Sequence, residues 1–293
     1  MGKKIFVALC GALAAGAILV SPGLASGGWR DVCKGTFEHP GVLVGYHAGD
    51  VLVHGVCAVP AGPAEVHGTL TLGEGSALIA GFAANGSRLT VDGNIRVEGG
   101  ATMLLGCDPQ SFPCIDDPNK AAPTLSSAPK VGGSIIAQAP LGVVVHNATI
   151  RGNFMETGGG GGVRCDQLGI FAAFMSPTYS ALEDSSVGGG VTIRDLHSCW
   201  LGVTRTSVGL SLRIIDNHMA DPDAIEILSN HVGDDLACFN NTQNVWNSSE
   251  ASFGQPGLYP RTPHPNTVLG ARLGQCVLAS PPTDSSPPGP GPF

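Results

Sequence analysis

Two groups of acidic residues in the second half of the chain have the types and spacing to do chemistry. Gly233-Asp234-Asp235 sets two carboxylates side by side after a glycine, the pairing that general acid and base catalysis requires. Just upstream, Asp221, Asp223 and Glu226 follow Asp216, a density of hard oxygen donors that suits Ca²⁺.

Each group also has a plain structural reading. Asp221-Pro222-Asp223 is a natural turn, and no aspartate spacing repeats as it would in a calcium-binding roll. His146, His197, His218 and His231 lack the two- to four-residue spacing of metal ligands, so they read as core or corner residues. No Gly-x-Ser-x-Gly elbow occurs. The glycine run at 158–162 has no Lys-Ser/Thr after it and is no phosphate cradle; it reads as a flexible loop.

The elements that must position these residues announce themselves as a repeat. Val66 to Leu78 and Val91 to Met103 match at an offset of 25 residues, and looser copies begin at Val131, Ile150, Val187, Val208 and Val232. The starts are separated by 25, 40, 19, 37, 21 and 24 residues, and the two long gaps are each close to two periods. Within a copy, Leu70-Leu72 and Ile95-Val97 alternate with polar neighbours, the period of two that turns one strand face inward. Stacking the copies in parallel places Leu70 over Ile95 and Leu72 over Val97. Fixed-period similarity of this kind predicts a solenoid. Insertions fall at 107–129 and at 157–162, and Ile170 to Met175 reads as a strand or a short helix. Asn217, Asn230 and Asn240 are expected at corners, where asparagine tolerates left-handed geometry.

Composition sets further bounds. The chain has 43 glycines, 22 prolines and only 5% aromatic residues, which suits short strands and tight turns. Residues 1–25 read as a signal peptide: Lys3 and Lys4, an apolar run from Ile5 to Val20, then Gly23-Leu24-Ala25. No later stretch predicts a membrane span. The net charge is −8, and removing the signal would make it −10 with only Lys34, Lys120 and Lys130 left as lysines. Such a chain is a poor partner for nucleic acid or an anionic membrane, and for anionic polysaccharide unless arginines cluster locally.

Eight cysteines remain beyond residue 25: Cys33, Cys57, Cys107, Cys114, Cys165, Cys199, Cys238 and Cys276. Their even number in an exported chain reads as a disulfide framework. Sequential pairing is the simplest choice because neighbouring coils of a solenoid lie together, although spacing alone does not fix connectivity.

The V-x-G-x-(I/L)-x-(V/I) pattern, with Val232-Gly233 to Leu236, Cys238, Asn240 and Gly274-Gln275-Cys276, resembles exported right-handed parallel β-helix proteins of the pectate-lyase-like superfamily. It resembles uncharacterised secreted actinobacterial members in particular. The resemblance implies an all-β fold: an irregular N-terminal cap at 26–50, a β-helix at 51–278, two loop insertions and a disordered Pro/Ser/Gly-rich tail at 279–293. That superfamily includes polygalacturonases, which carry Gly-Asp-Asp, and pectate lyases, which bind Ca²⁺ through aspartates and use an arginine base. Here no Asn-Thr-Asp precedes Asp234 and no lysine follows it, so Gly233-Asp234-Asp235 reads as the turn opening a copy. The expectation is a secreted structural or binding protein without catalysis or an obligate cofactor. Its expected partner is a polysaccharide or another cell-surface component. The alternative is a polysaccharide lyase or glycosidase using Asp234, Asp235, Asp221 and Asp223.

Overall fold

The computed structural model describes residues 31–221, 224–242, 245–248 and 265–277. The signal segment, the first five residues of the expected cap, Asp223 and the 279–293 tail lie outside them. Regular structure among the described residues is strand apart from two 3₁₀ turns, at Ala84–Gly86 and Gly169–Phe174. The second of these occupies the segment read as a strand or short helix.

Every strand pairing among the described residues is parallel, and only two isolated bridges inside the first insertion are antiparallel. The chain visits three sheets in turn. A first sheet includes Leu70–Leu72, Ile95–Val97, Ile135–Gln138, Phe154–Thr157, Val191–Arg194, Leu212–Ile215 and Leu236–Phe239. A second includes Ala77–Ala80, Thr102–Leu105, Gly142–His146, Tyr179–Glu183, Trp200–Thr204 and Ile225–Leu228. The third is built from short strands ending at the repeat starts. Val66, Val91, Val131, Ile150, Val187, Val208 and Val232 form one continuous ladder, which His47 precedes and Val268 follows. This arrangement is compatible with an all-β parallel solenoid.

Leu70 pairs with Ile95 and Leu72 with Val97, as the alternation predicts. All four are buried, and the Leu70–Ile95 column continues as an apolar one through Ile135, Phe154, Val191, Leu212 and Leu236. No single coil could bury that surface; stacking supplies it at roughly 25 cal/mol per Å² of apolar area. Four disulfides join the cysteines in sequence: Cys33–Cys57, Cys107–Cys114, Cys165–Cys199 and Cys238–Cys276.

Several expectations change. The long gaps are not two periods each: Val91 pairs directly with Val131, and Ile150 with Val187, so each is a single coil enlarged by an insertion. Nor is the N-terminal cap irregular. Asp31–Gly35 pairs with Val51–Gly55, and Gly45–His47 with Ala64–Val66, so the stack already runs from residue 31. The glycine run is not a free loop. Gly158 to Gly162 all have positive φ, and their amides bond Arg194 O, Pro140 O and His197 O on the neighbouring coils. A Cβ on Gly159 would lie 2.1 Å from Pro140 O and one on Gly160 2.3 Å from His197 O, which explains the composition.

Of the expected corner asparagines, only Asn240 takes the left-handed conformation. Asp216 and Ser229 do so immediately before Asn217 and Asn230, whose buried side chains point inward. There they form ladders. Asn217 Oδ1 accepts from Leu196 N (3.1 Å), and its amide donates to Ile193 O (3.1 Å) and Asn241 Oδ1 (3.0 Å). Asn230 likewise accepts from Thr206 N (2.9 Å) and donates to Val203 O (2.7 Å). These bonds satisfy the backbone groups that a tight corner leaves unpaired.

Candidate functional site

The carboxylates singled out in the sequence are placed at two different corners. Asp234 and Asp235 lie where the third sheet passes to the first. Asp235 Oδ1 accepts from Ala271 N on the next coil (2.8 Å), and Asp234 Oδ2 accepts from Ser211 Oγ on the previous one (2.8 Å). Other coils use the same device: Asn94 Oδ1 accepts from Ser134 N, Ser134 Oγ from Asn153 N, and Asn153 Oδ1 from Gly190 N. Asp235 is thus an acidic member of a capping column, as is Asp50, whose Oδ1 accepts from Thr69 N (2.8 Å). Register aligns Gly233 with His67 and Asp92, one residue earlier than the glycines of the first copies.

Asp221 lies at the other corner, between the first and second sheets, with its amide bonded to Cys199 O. A four-residue strand of the first sheet, on the order of 13 Å, separates the two corners. Arg213 projects from the middle of that sheet, while Arg205 is at the third corner, between the second and third sheets. Asp221, the Asp234–Asp235 pair, Arg213 and Arg205 therefore do not assemble around one point, and Asp223 lies outside the described residues.

The structure does assemble charged groups on the outward face of the second sheet. His146, Glu183 and Thr204 stack on successive coils, each the fourth residue before a ladder residue of the third sheet. Arg205, in the left-handed conformation and nearly buried, donates from Nη2 to Glu183 Oε2 (2.7 Å), from Nε to Asp184 Oδ1 (2.8 Å) and from Nη2 to Asp184 Oδ2 (2.9 Å). Bidentate arginine–carboxylate pairing of this kind is strong and directional.

The first insertion folds over this column. Cys107–Cys114 closes its base, and the Asp117 carboxylate accepts from Thr124 N (2.7 Å), Leu125 N (2.8 Å) and Asn119 N (2.9 Å). Those backbone donors, with Leu125 and Thr124 foremost, hold the Asp117 carboxyl below its ordinary pKa. Ser111 Oγ donates to Asp184 Oδ2 (2.5 Å), and the Phe112 ring stacks on the His146 ring at 4.3 Å with 3° between planes. Residues 107–129 are thus a docked flap rather than a polar excursion.

His146 is 0% exposed, and neither ring nitrogen has a hydrogen-bond partner. Burial drives its pKa down to about 3, with Arg205 adding to the effect and Asp184 opposing it. The imidazole is therefore neutral, and the 4.0 Å approach of Nδ1 to Glu183 Oε2 is neither an ion pair nor a hydrogen bond. Among the described residues, two groups bring three potential metal donors within 4.8 Å of one another. In Cys165, Cys199 and Asp221 the sulfurs are committed to the disulfide; the other group is His146, Glu183 and Asp184. No sequence motif marks it, because the three residues come from two coils separated by the glycine-rich insertion.

The outward face of the first sheet is open. One column runs Thr71, Arg96, Ile136, Met155, Thr192 and Arg213, and beside it lie Gln138, Thr157, Arg194, Ile215 and Phe239. All are exposed or half-exposed. Three arginines thus share one face of an acidic chain. Arg194 is restrained by Thr157 Oγ1 (3.4 Å) and Asp195 (3.9 Å). No protein-family model matches the chain, and neither a curated protein nor a solved structure matches it.

Proposed function

We propose that this chain is an exported right-handed parallel β-helix that works outside the cell as a structural or binding module without catalysis. Its ligand class is glycan or another cell-surface component. The right-handed winding follows from the strong handedness of parallel strand crossovers. Four disulfides suit an oxidising compartment, which supports export.

The observation that carries the reading is the division of labour between the sheets. Asp234 and Asp235 serve as caps between coils, and the second sheet's outward charges are covered by the flap. The first sheet instead leaves a long open face of aliphatic, hydroxyl and arginine side chains. Its rungs repeat at about 4.8 Å, comparable to the length of one sugar unit, so an extended chain laid along the stack meets the same chemistry repeatedly.

The test is a screen of purified protein against a polysaccharide panel, with and without Ca²⁺, scoring retention and cleavage separately. Retention without product, weakened by Arg96→Ser and Arg213→Ser together, supports the reading. New reducing ends or unsaturated products that disappear in Asp234→Asn would establish the lyase or glycosidase instead.

A further inference from the structure

We propose that His146, Glu183 and Asp184 hold a divalent transition-metal ion beneath the residue 107–129 flap, tying two coils of the stack together. The donor set is one imidazole and two carboxylates, which suits Zn²⁺ among the common biological ions.

Three observations point there, and the first is independent of the acidic residues. A completely buried histidine with both nitrogens unpartnered is costly, because desolvating such groups without a bond costs about 1–3 kcal/mol. The 4.0 Å between its Nδ1 and Glu183 Oε2 is too long for a hydrogen bond. Two metal–ligand bonds of about 2.0–2.2 Å can bridge it with a small adjustment. Thr204, which follows Glu183 in the same column, is also fully buried with its hydroxyl unpartnered, so a further oxygen lies one coil away.

Arg205 does not preclude the ion. A carboxylate oxygen offers two lone-pair sites, so Glu183 Oε2 and Asp184 Oδ1 can each keep their arginine bond while bonding a metal. The guanidinium then orients the two carboxylates as an outer support, the role such groups commonly play around metal ligands. Phe112 closes the imidazole side, and Ser111 fixes Asp184 from the flap. An ion there joins two coils beneath a flap that already touches two of its three ligand residues, His146 and Asp184.

The experiment uses the full chain and Zn²⁺ alone as the probe. Protein is measured for metal by mass spectrometry as purified and again after Zn²⁺ loading and gel filtration, and Co²⁺ is substituted to read the visible ligand-field bands. The expected result is retention of one ion per chain, a tetrahedral Co²⁺ spectrum, and a fall in Tm on chelation. His146→Phe keeps the ring stack on Phe112 and removes the nitrogen donors, so it should stay folded and lose all three signals. The pair of exposed His197 and half-buried His218, whose rings are 4.9 Å apart, is the rival surface site. A His197→Ala/His218→Ala variant should retain the metal. Failure of the wild-type chain to hold Zn²⁺ after loading, or equal retention by His146→Phe, overturns the proposal. Should His146→Phe not fold, Glu183→Gln replaces it, with the same losses expected.

Discussion

Ser180 Oγ donates a 2.7 Å hydrogen bond to Glu156 Oε1 inside the stack. The same hydroxyl accepts from Val143 N at 3.1 Å. A carboxyl group thereby sits in the interior column that Ala137 and Ile193 occupy on the coils to either side. Burial raises the Glu156 pKa from 4.5 to about 8, and the Ser180 bond offsets only part of that. The group is therefore protonated in the folded protein at neutral pH.

Glu156 makes stability fall as pH rises. Its folded pKa lies above the unfolded one, so the unfolded chain releases the proton first. The cost is absent below pH 4.5, grows as pH climbs from there to about 8, and is constant above that. At pH 7 it is about 3 kcal/mol, at 1.36 kcal/mol per pKa unit. Glu156→Gln keeps an acceptor for Ser180 and removes the ionisation. Urea unfolding should show the variant equal to wild type near pH 4 and more stable by roughly that amount at pH 7. An unchanged difference between the two pH values would contradict the assignment.

The asparagine ladders should be energetically coupled. Asn241 accepts from the amide of Asn217, and its own amide donates to Ile214 O at 2.9 Å. Asn217→Leu leaves Leu196 N and Ile193 O without their bonds inside the core, a loss of about 2–4 kcal/mol. The double variant with Asn241→Leu should cost less than the sum of the singles by about 1 kcal/mol, because their mutual bond is counted twice. Thermal and urea unfolding of the four proteins give the comparison.

The repeat was readable because the third-sheet ladder demands an aliphatic residue on every coil, and Val66 to Val232 supply it in plain sight. The inward asparagines were half readable. Asn217 and Asn230 do belong to corners, but the left-handed residue is the one before each, and Asp216 and Ser229 carry no distinguishing mark. The charged column was invisible as a motif, since His146 and Glu183 are 37 residues apart with an insertion between them. Counting back four residues from Ile150, Val187 and Val208 would have found it, because register within a coil is preserved even where loop length is not. Ile170 to Met175 stayed ambiguous for another reason: Phe171 is buried against Gly142 and Tyr179 by tertiary packing, which no local period records.

Gly160→Ala should be severely destabilising. The residue has φ +87°, and the added Cβ would meet His197 O at 2.3 Å, so both strain and overlap oppose it. A loss of about 2–4 kcal/mol is expected. Gly99→Ala is the control, since nothing lies within 4 Å of its Cβ and its φ is not positive. That substitution should change stability by less than about 1 kcal/mol. Equal tolerance at the two sites, read from Tm, would return the glycine run to a free loop.

Asp235→Asn discriminates a cap from a catalytic acid. Asn94 and Asn153 already accept the equivalent backbone bond on other coils, so an amide oxygen at 235 should hold Ala271 N as the carboxylate does. Stability should stay within about 0.5 kcal/mol of wild type. Asp235→Ala removes the acceptor and should cost about 0.5–2 kcal/mol, the range for losing a side-chain cap. A general acid or base behaves in the opposite way, because an amide cannot exchange the proton and Asn abolishes turnover as fully as Ala does. The pair of variants, compared by urea unfolding and in the polysaccharide panel, therefore separates the roles. Near-neutral Asn with a destabilised Ala marks a structural carboxylate, whereas wild-type product formation lost in both marks a catalytic one.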